Sequence, residues 1–200
     1  MANKTTYDID SWVKSQNYEI VEEPEINADV PIPYLKSQTP AFLYTIKCAY
    51  NYAFVPKSYT DYKPLEEIGY VPVKLGYENS NGPILSANGD LRIYLIMKKN
   101  DEIKLSYHYF LIKLKKYLDK YFEDVSISNN DILIDRKKVL GGAMIELNGM
   151  LIVVFQINFV NKEKDIVHLC NYLKKTPGYI DSNVVTAEQV KDEFLSWIKE

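Results

Sequence analysis

The sequence has few of the residues on which several common kinds of protein chemistry depend. Its 200 residues include two cysteines, Cys48 and Cys170, and two histidines, His108 and His168. Two cysteines cannot form a disulfide framework, and these two lack the spacing of a zinc knuckle or a redox pair. Two histidines cannot hold a metal cluster without several carboxylates that the fold would have to bring together. We therefore expect no metal-centred enzyme, and we expect both thiols to be small buried groups.

Long apolar runs and an excess of positive charge are also missing. No window approaches the roughly 18 to 20 apolar residues that a bilayer span requires. The first 20 residues mix Lys, Asp, Ser and Gln without the apolar core of a signal peptide. The formal net charge is −3, so no overall positive field attracts nucleic acid. These absences predict a soluble cytoplasmic protein that binds neither a membrane nor nucleic acid.

Arginine is scarce among the cationic residues. Only Arg92 and Arg136 stand beside 22 lysines. The planar guanidinium group binds phosphate or carboxylate through two parallel hydrogen bonds, whereas the lysine ammonium group acts as a point charge. The shortage of arginine therefore bears on any anion-binding site in this chain.

The length and the 46% apolar content predict one globular domain over residues 1–200. Residues 1–40 contain a short amphipathic stretch followed by an acidic, proline-punctuated run, which predicts an extended N-terminal arm. After Pro40, apolar residues near helical spacing predict a helix over 41–53 that ends before Pro56.

The middle of the chain has the patterns of strands and of one clear helix. Alternating apolar residues at 69–75 and 91–97 predict two strands. The segment between them, 76–90, is rich in Asn, Ser and Gly and predicts a loop whose backbone N–H groups can bind a ligand. A one-sided apolar stripe predicts a helix over 105–123.

The last third of the chain predicts an antiparallel meander and two closing helices. Strands at 131–135 and 139–140 flank a tight turn at Arg136-Lys137-Lys138, and strands at 143–147 and 150–159 flank Asn148-Gly149. Helices follow at 163–175 and from Thr186, where Thr186 and Gln189 form a plausible capping box. Segregated helices and hairpin-linked strands together predict an α+β fold: a mainly antiparallel sheet with helices packed on it.

The segment from Asn130 to Ala143 resembles the central motif of the biotin and lipoate protein ligase family. In that motif an Asn-Asp pair precedes a strand and a turn, and an obligatory lysine is followed by a small residue and glycine. Asn130 and Asp131 open the motif here. Lys138 falls on the lysine position and Gly141 on the glycine that follows.

A second segment, Ser80 to Leu91, resembles the glycine-rich loop of lipoate ligases. Gly82 and Gly89 match two of its glycines. Ser80 and Asn81 stand where that loop has glycine, and Asn can still adopt a left-handed backbone conformation.

The resemblance covers roughly residues 40–160 and implies a class II synthetase-like fold and an acyl-activating enzyme. Such enzymes activate lipoate, octanoate or biotin with ATP and magnesium, form an acyl-adenylate, and pass the acyl group to a lysine of a lipoyl or biotinyl carrier domain. Lys138 would be the catalytic cation between the acid's carboxylate and the α-phosphate. The implied cofactor-binding residues are Ser80, Asn81, Gly82, Gly89, Asn130, Asp131, Gly141 and Gly142.

Departures from the family pattern keep a second hypothesis open. Gly76 and Tyr77 stand where lipoate ligases have an Arg-Arg pair, and no Gly-Arg-Gly-Arg string of the biotin-ligase type occurs. The alternative is a catalytically inactive relative, possibly phage-encoded, that serves as a binding or assembly module with a protein partner or as a homo-oligomer. A thioester route would need a nucleophilic cysteine near Lys138, and the apolar surroundings of Cys48 and Cys170 disfavour it. At Gly141-Gly142, approach of a ligand and a structural bulge explain the glycines equally well.

Overall fold

The structure is a computed structural model that describes residues 8–24, 31–74, 83–162, 164 and 175–199. Its helices are α1 (Ile9–Lys14), α2 (Ile32–Ser37), α3 (Lys63–Glu67), α4 (Tyr107–Leu118) and α5 (Ala187–Lys199). Its strands are β1 (Glu19–Glu22), β2 (Ala41–Thr45), β3 (Asn51–Val55), β4 (Tyr70–Lys74), β5 (Ile84–Ser86), β6 (Leu91–Lys98), β7 (Val125–Ser128), β8 (Asp131–Ile134), β9 (Lys137–Leu147) and β10 (Met150–Ile157).

The strands form two sheets. The larger has seven strands in the order β1-β2-β6-β10-β9-β8-β7, and the smaller has three in the order β4-β3-β5. The pairs β1–β2 and β3–β4 are parallel, and every other pair is antiparallel. The mixed, mainly antiparallel α+β architecture predicted from the sequence is therefore confirmed.

Tight two-residue turns set the register of the meander. In the β8–β9 turn, Asp135 and Arg136 have φ of 49° and 64°, and in the β9–β10 turn, Asn148 and Gly149 have φ of 52° and 75°. Two consecutive residues with positive φ are the mark of a type I′ turn, whose twist matches that of the flanking strands. The hairpin predicted at Asn148-Gly149 is confirmed. The other predicted hairpin is present, but its turn is at Asp135-Arg136 and not at 136–138, because Lys137 and Lys138 already belong to β9.

The main core lies on one face of the large sheet, under α4 and α5. The helix predicted over 105–123 is confirmed, and its apolar stripe packs against Phe155 of β10 and Phe194 of α5. The predicted capping box is also present: Gln189 N donates to Thr186 Oγ1, and Thr186 N donates to Gln189 Oε1. This box fixes the start of α5, so that its apolar residues reach the sheet.

The opposite face of the large sheet is covered differently. Residues of β2, β6 and β10 that point away from α4 pack against Leu35 of α2. The small sheet also lies on this side, where the Phe54 ring of β3 stacks on the guanidinium group of Arg92 at 3.6 Å. Strand β6 is consequently buried on both faces over most of its length.

The helix predicted over 41–53 is wrong, because this segment forms strands β2 and β3. Ala41, Phe42 and Leu43 are consecutive and fully buried, since both faces of β2 are covered. A strand buried on both faces gives a continuous apolar run, and periodicity alone cannot distinguish such a run from a helix. The predicted strands at 69–75 and 91–97 are confirmed as β4 and β6.

Two other expectations change in part. The described residues of the expected arm, 1–40, contain α1, β1 and α2, and β1 adds a parallel edge strand to β2. The expected loop 76–90 contains the short strand β5. Its residues 76–82, with Ser80, Asn81 and Gly82, lie outside the described residues, as does nearly all of the helix expected over 163–175. No helix in the described part of the chain has the length and apolar character that crossing a bilayer demands.

Candidate functional site

A β-bulge in strand β9 determines where Lys138 points. The β8–β9 register shifts between Ile132, which pairs with Leu140, and Leu133, which pairs with Lys138, so Val139 is an extra residue. Side chains alternate between the two faces of a regular strand, and one extra residue reverses that alternation. Lys138 and Gly141, an odd number of residues apart, therefore share one face of the sheet.

That face carries a buried carboxylate held between two ammonium groups. The Asp131 side chain is about 2% exposed, and its Oδ1 lies 2.9 Å from Lys138 Nζ. Its Oδ2 lies 2.6 Å from Lys175 Nζ. Lys175 Nζ also donates to the carbonyl oxygen of Ser128 at 2.9 Å and to Ser128 Oγ at 3.4 Å. A buried carboxylate needs such partners, because transfer of an unpaired charge from water to a protein interior costs several kcal/mol.

Gly141 provides the space for this cluster. It pairs with Asp131 across the β8–β9 ladder. A Cβ atom at Gly141 would lie 2.6 Å from Lys138 Nζ and 2.9 Å from Asp131 Oδ1. Both distances are shorter than ordinary van der Waals contacts. A side chain at position 141 would therefore displace the Lys138 ammonium group or the Asp131 carboxylate from its observed place.

A second buried ion pair lies nearby, between Asp90 and Lys162. Asp90 Oδ1 accepts hydrogen bonds from the backbone N–H groups of Phe159 and Val160 at 2.8 and 3.0 Å. Asp90 Oδ2 accepts one from Ala87 N at 2.8 Å. This carboxylate thus ties the turn before β6 to the chain that follows β10.

The remaining polar groups connect this ion pair to the sheets. Lys162 Nζ donates to Asn158 Oδ1 at 3.0 Å and to the Leu85 carbonyl oxygen at 3.2 Å. Gln156 accepts from Arg92 Nε at 3.0 Å and donates to Asp90 Oδ2 at 3.4 Å. Arg92 is therefore buried in a structural network, and does not stand free as a surface anion clamp.

A cavity of about 70 Å³, open to solvent on one side, lies between the two ion pairs. One wall comes from the β8–β9 hairpin and the strand beside it, and the other from the segment that leads into β5. The lining residues are Pro83, Ile84, Leu85, Lys138, Gly141, Gln156, Asn158, Lys162, Lys175 and Pro177. The cavity thus combines three lysine side chains with an apolar wall, which suits an amphiphilic anion.

Positive charge exceeds negative charge around the cavity. Lys138, Lys162 and Lys175 line it, and two carboxylates, Asp90 and Asp131, contact their ammonium groups. Both carboxylates are almost completely buried. Charges in such an environment are weakly screened by salt. The surplus ammonium charge favours a ligand with a carboxylate or a phosphate group.

Some residues expected at the site come together in the structure. Lys138 and Gly141 line the cavity, and Asp131 lies directly beneath them. Pro83 and Leu85, in the described part of the expected binding loop, line the opposite wall. The described part of this loop and the lysine of the hairpin therefore meet at one cavity.

Other expected residues lie elsewhere. Asn130 is exposed in the β7–β8 turn, outside the cavity lining. Gly142 faces α4, where a Cβ atom would lie 1.9 Å from the Val154 carbonyl oxygen and 2.2 Å from Tyr107 Oη. Gly89 has φ of +103° in the turn before β6, which favours glycine on conformational grounds.

Four polar lining residues were not anticipated: Gln156, Asn158, Lys162 and Lys175. They come from β10, from the chain after it, and from a point 44 residues after Asp131. Because side chains alternate along the strand at 150–157, Gln156 lies on the other face of the sheet from Phe155 and Ile157. A polar residue within such an apolar strand could have indicated a site residue from the sequence. The two lysines carry no comparable signal, because most lysines are solvated.

The fold is the one shared by lipoate and biotin protein ligases. Three solved structures illustrate the likeness. LipL1 of P. falciparum in complex with lipoate is 11% identical, with a TM-score of 0.67 over 89% of this chain and 60% of that one. Lipoate-protein ligase A bound with ATP is 12% identical, with a TM-score of 0.61 over 90% and 83%. A bipartite lipoate protein ligase from Thermoplasma acidophilum, studied with its E2 lipoyl domain, is 13% identical, with a TM-score of 0.59 over 91% and 82%.

The likeness lies in the fold and not in the sequence. No protein-family model and no curated protein sequence matches the chain. The chain spans less than two thirds of the length of LipL1. The fold thus agrees with the resemblance of the segment around Lys138 to the ligase motif. At this level of sequence identity the likeness concerns the fold alone.

Proposed function

We propose that this chain activates a carboxylic acid of the lipoate, octanoate or biotin class with ATP and transfers the acyl group to a lysine of a carrier domain. The observation that carries the proposal is the cavity that joins the Lys138 ammonium group to an apolar wall. An acid with an acyl chain needs both features, because its carboxylate seeks a cation and its chain seeks apolar surface. The solved structures of the same fold include proteins with lipoate or ATP bound.

The reaction has two balanced steps. A carboxylate oxygen of the acid attacks the α-phosphorus of ATP, the bond to the β-phosphate oxygen breaks, and pyrophosphate leaves. The neutral amine of a carrier lysine then attacks the acyl carbon, AMP leaves, and the amine proton passes to solvent. Lys138 stabilises the negative charge shared between the carboxylate and the α-phosphate in the first step. Loss of a preorganised charge of this kind typically slows catalysis by about 10² to 10³.

The polar groups at the cavity fit the anionic part of the nucleotide. Lys138 supplies a cation where phosphate oxygens would lie, and Lys162 and Lys175 add positive charge beside it. Asp90 and Asp131 are held by ammonium groups. Among the described residues, no group of three or more His, Cys, Asp or Glu side chains could hold a metal ion. Magnesium bound to the phosphates would neutralise part of their charge.

Measurement of pyrophosphate release tests the proposal. The purified protein is incubated with ATP, magnesium and each acid, with and without lipoyl and biotinyl carrier domains, and carrier labelling is followed by mass spectrometry. Lys138→Met should lower the rate by about 10² to 10³. The exposed neighbour Lys137 provides the matched control, and Lys137→Met should keep the wild-type rate. Equal rates in the two variants would refute the role of Lys138.

A catalytically inactive module with the same fold is the second candidate. It is favoured by Gly76 and Tyr77 at the positions of the arginine pair of lipoate ligases. It is also favoured by the burial of Arg92 in a structural network. This candidate predicts no pyrophosphate release under any condition, whether or not an acid or ATP binds. Calorimetric titration with each ligand beside the activity assay separates the two candidates.

A further inference from the structure

We infer that Lys175 is a positioning residue that neutralises Asp131 and so leaves the charge of Lys138 available to a ligand anion. The inference deepens the proposed function, because it explains how a cavity with no arginine among its lining residues could bind a carboxylate or phosphate. It concerns the charge at the cavity and does not depend on which acid is bound.

The two lysines that contact Asp131 differ in how many of their N–H groups the protein engages. A lysine ammonium group has three N–H donors. Lys175 Nζ has three acceptors at hydrogen-bond distance, namely Asp131 Oδ2, the Ser128 carbonyl oxygen and Ser128 Oγ. All of its donors are therefore engaged by the protein.

Lys138 has a looser relation to the same carboxylate. Its Nζ contacts Asp131 Oδ1 at 2.9 Å, and no other acceptor among the described residues lies within hydrogen-bond distance of it. At least two of the three N–H donors of Lys138 are therefore not engaged by the described part of the protein. Because Lys138 lines the cavity, these donors are placed to serve a ligand there.

The charges of Asp131, Lys138 and Lys175 determine how strongly the cavity attracts an anionic ligand. With Lys175 present, Asp131 and the two lysines carry a net charge of one positive unit. Without Lys175, Asp131 and Lys138 would form a neutral pair, and the buried carboxylate would attract the only ammonium group left beside it. The ligand would then compete with Asp131 for Lys138. Lys175 therefore sets the affinity of the cavity for anions while its own donors stay on Asp131 and Ser128.

The experiment measures the binding of inorganic pyrophosphate by isothermal titration calorimetry at low ionic strength. Pyrophosphate has no acyl chain and no nucleoside, so its affinity reports the charge at the cavity. Four proteins are compared: wild type, Lys175→Met, Lys175→Arg, and the double variant Lys175→Met with Asp131→Asn. Circular dichroism and a thermal melt of each protein confirm that it is folded.

Lys175→Met should weaken pyrophosphate binding about tenfold, the effect of roughly 1.4 kcal/mol of lost electrostatic attraction. The double variant removes the carboxylate together with its neutralising lysine, so affinity should return to within about threefold of wild type. Lys175→Arg keeps the charge and should also bind within about threefold of wild type. A merely structural role would make the double variant the weakest binder, because it has lost the most contacts.

Three results would overturn the inference: wild-type affinity in Lys175→Met, a double variant as weak as Lys175→Met, or a wild-type protein that does not bind pyrophosphate. The proposed function fails separately. If the expected pattern of affinities is found but no acid leads to pyrophosphate release from ATP, the proposed activity is refuted and this inference stands. If the protein acylates a carrier but the pattern of affinities is not found, the activity stands and this inference is refuted.

Discussion

The ammonium group of Lys138 occupies the space that a side chain at Gly141 would fill, because a Cβ atom built there would lie 2.6 Å from Lys138 Nζ. The two residues share a face of the sheet only because Val139 is an extra residue between them. Asp131 completes the arrangement, since it pairs with Gly141 across the ladder and contacts Lys138. A glycine, a bulge and a buried carboxylate thus position one lysine at the cavity.

Gly141→Ala should impair ligand binding in a protein that still folds. The added methyl group meets the flexible end of Lys138, which can swing away, and also the buried Asp131 carboxylate, so we expect the free energy of unfolding to fall by about 1 to 3 kcal/mol. The displaced ammonium group no longer faces the ligand, and affinity for pyrophosphate should fall about tenfold. Calorimetry and urea denaturation measure the two quantities on the same preparation. Unchanged affinity in a folded Gly141→Ala protein would contradict the placement of Lys138.

Gly142→Ala should destabilise the protein more than Gly141→Ala does. Its methyl group would lie 1.9 Å from the backbone carbonyl oxygen of Val154, which cannot move without separating β9 from β10. We expect the free energy of unfolding to fall by more than about 3 kcal/mol, the upper range for overpacking of a core. If Gly142→Ala were as stable as Gly141→Ala in urea, the assignment of the two glycines to opposite faces would be wrong.

The sequence predicted the elements whose signals are local. The hairpin turn at Asn148-Gly149, the stripe of α4 and the capping box of α5 all depend on residues that are close together in the sequence, and all three are confirmed. The motif around Lys138 is similarly local, and it indicated the fold correctly.

The rest depends on contacts between distant segments. Strand β2 looked helical because the sheet buries both of its faces. Lys175 contacts Asp131 across 44 residues, and Lys162 contacts the Leu85 carbonyl oxygen across 77. The bulge at Val139 depends on the register with β8, which the residue pattern of β9 alone does not fix. The site residues that the sequence missed are therefore those that tertiary packing brings to the cavity.

Arg136→Gly should stabilise the protein. Arg136 is the second residue of the β8–β9 turn and has φ of 64°, a left-handed conformation that costs an ordinary residue roughly 1 to 2 kcal/mol. Glycine avoids this cost, although its larger freedom in the unfolded chain offsets part of the gain. We expect a net increase of about 0.5 to 1 kcal/mol in the free energy of unfolding, measured in urea. Lys137→Gly, one residue into β9, should instead destabilise the protein, and an equal effect of both changes would contradict the type I′ turn.

Cys48 should be unreactive in the folded protein. Its thiol is buried and donates a hydrogen bond to the Tyr50 carbonyl oxygen at 3.0 Å. Burial raises the pKa of the Cys48 thiol, and the negative charge of Asp90 raises it further. Because the thiolate is the nucleophile, a raised pKa leaves less of it at pH 8 than an exposed cysteine has. Iodoacetamide should therefore label Cys48 far more slowly in buffer than in urea, as read from the peptide that contains this residue.

The low reactivity expected of the Cys48 thiol also bears on the route of acyl transfer. An acyltransferase that worked through a thioester on Cys48 would need an accessible thiolate close to Lys138, and Cys48 does not line the cavity. Cys48→Ala should accordingly keep the wild-type rates of pyrophosphate release and carrier labelling, while Lys138→Met loses them. If the alanine variant instead lost carrier labelling and kept its fold, the acyl group would travel through a cysteine, and direct transfer to the carrier lysine would have to be abandoned.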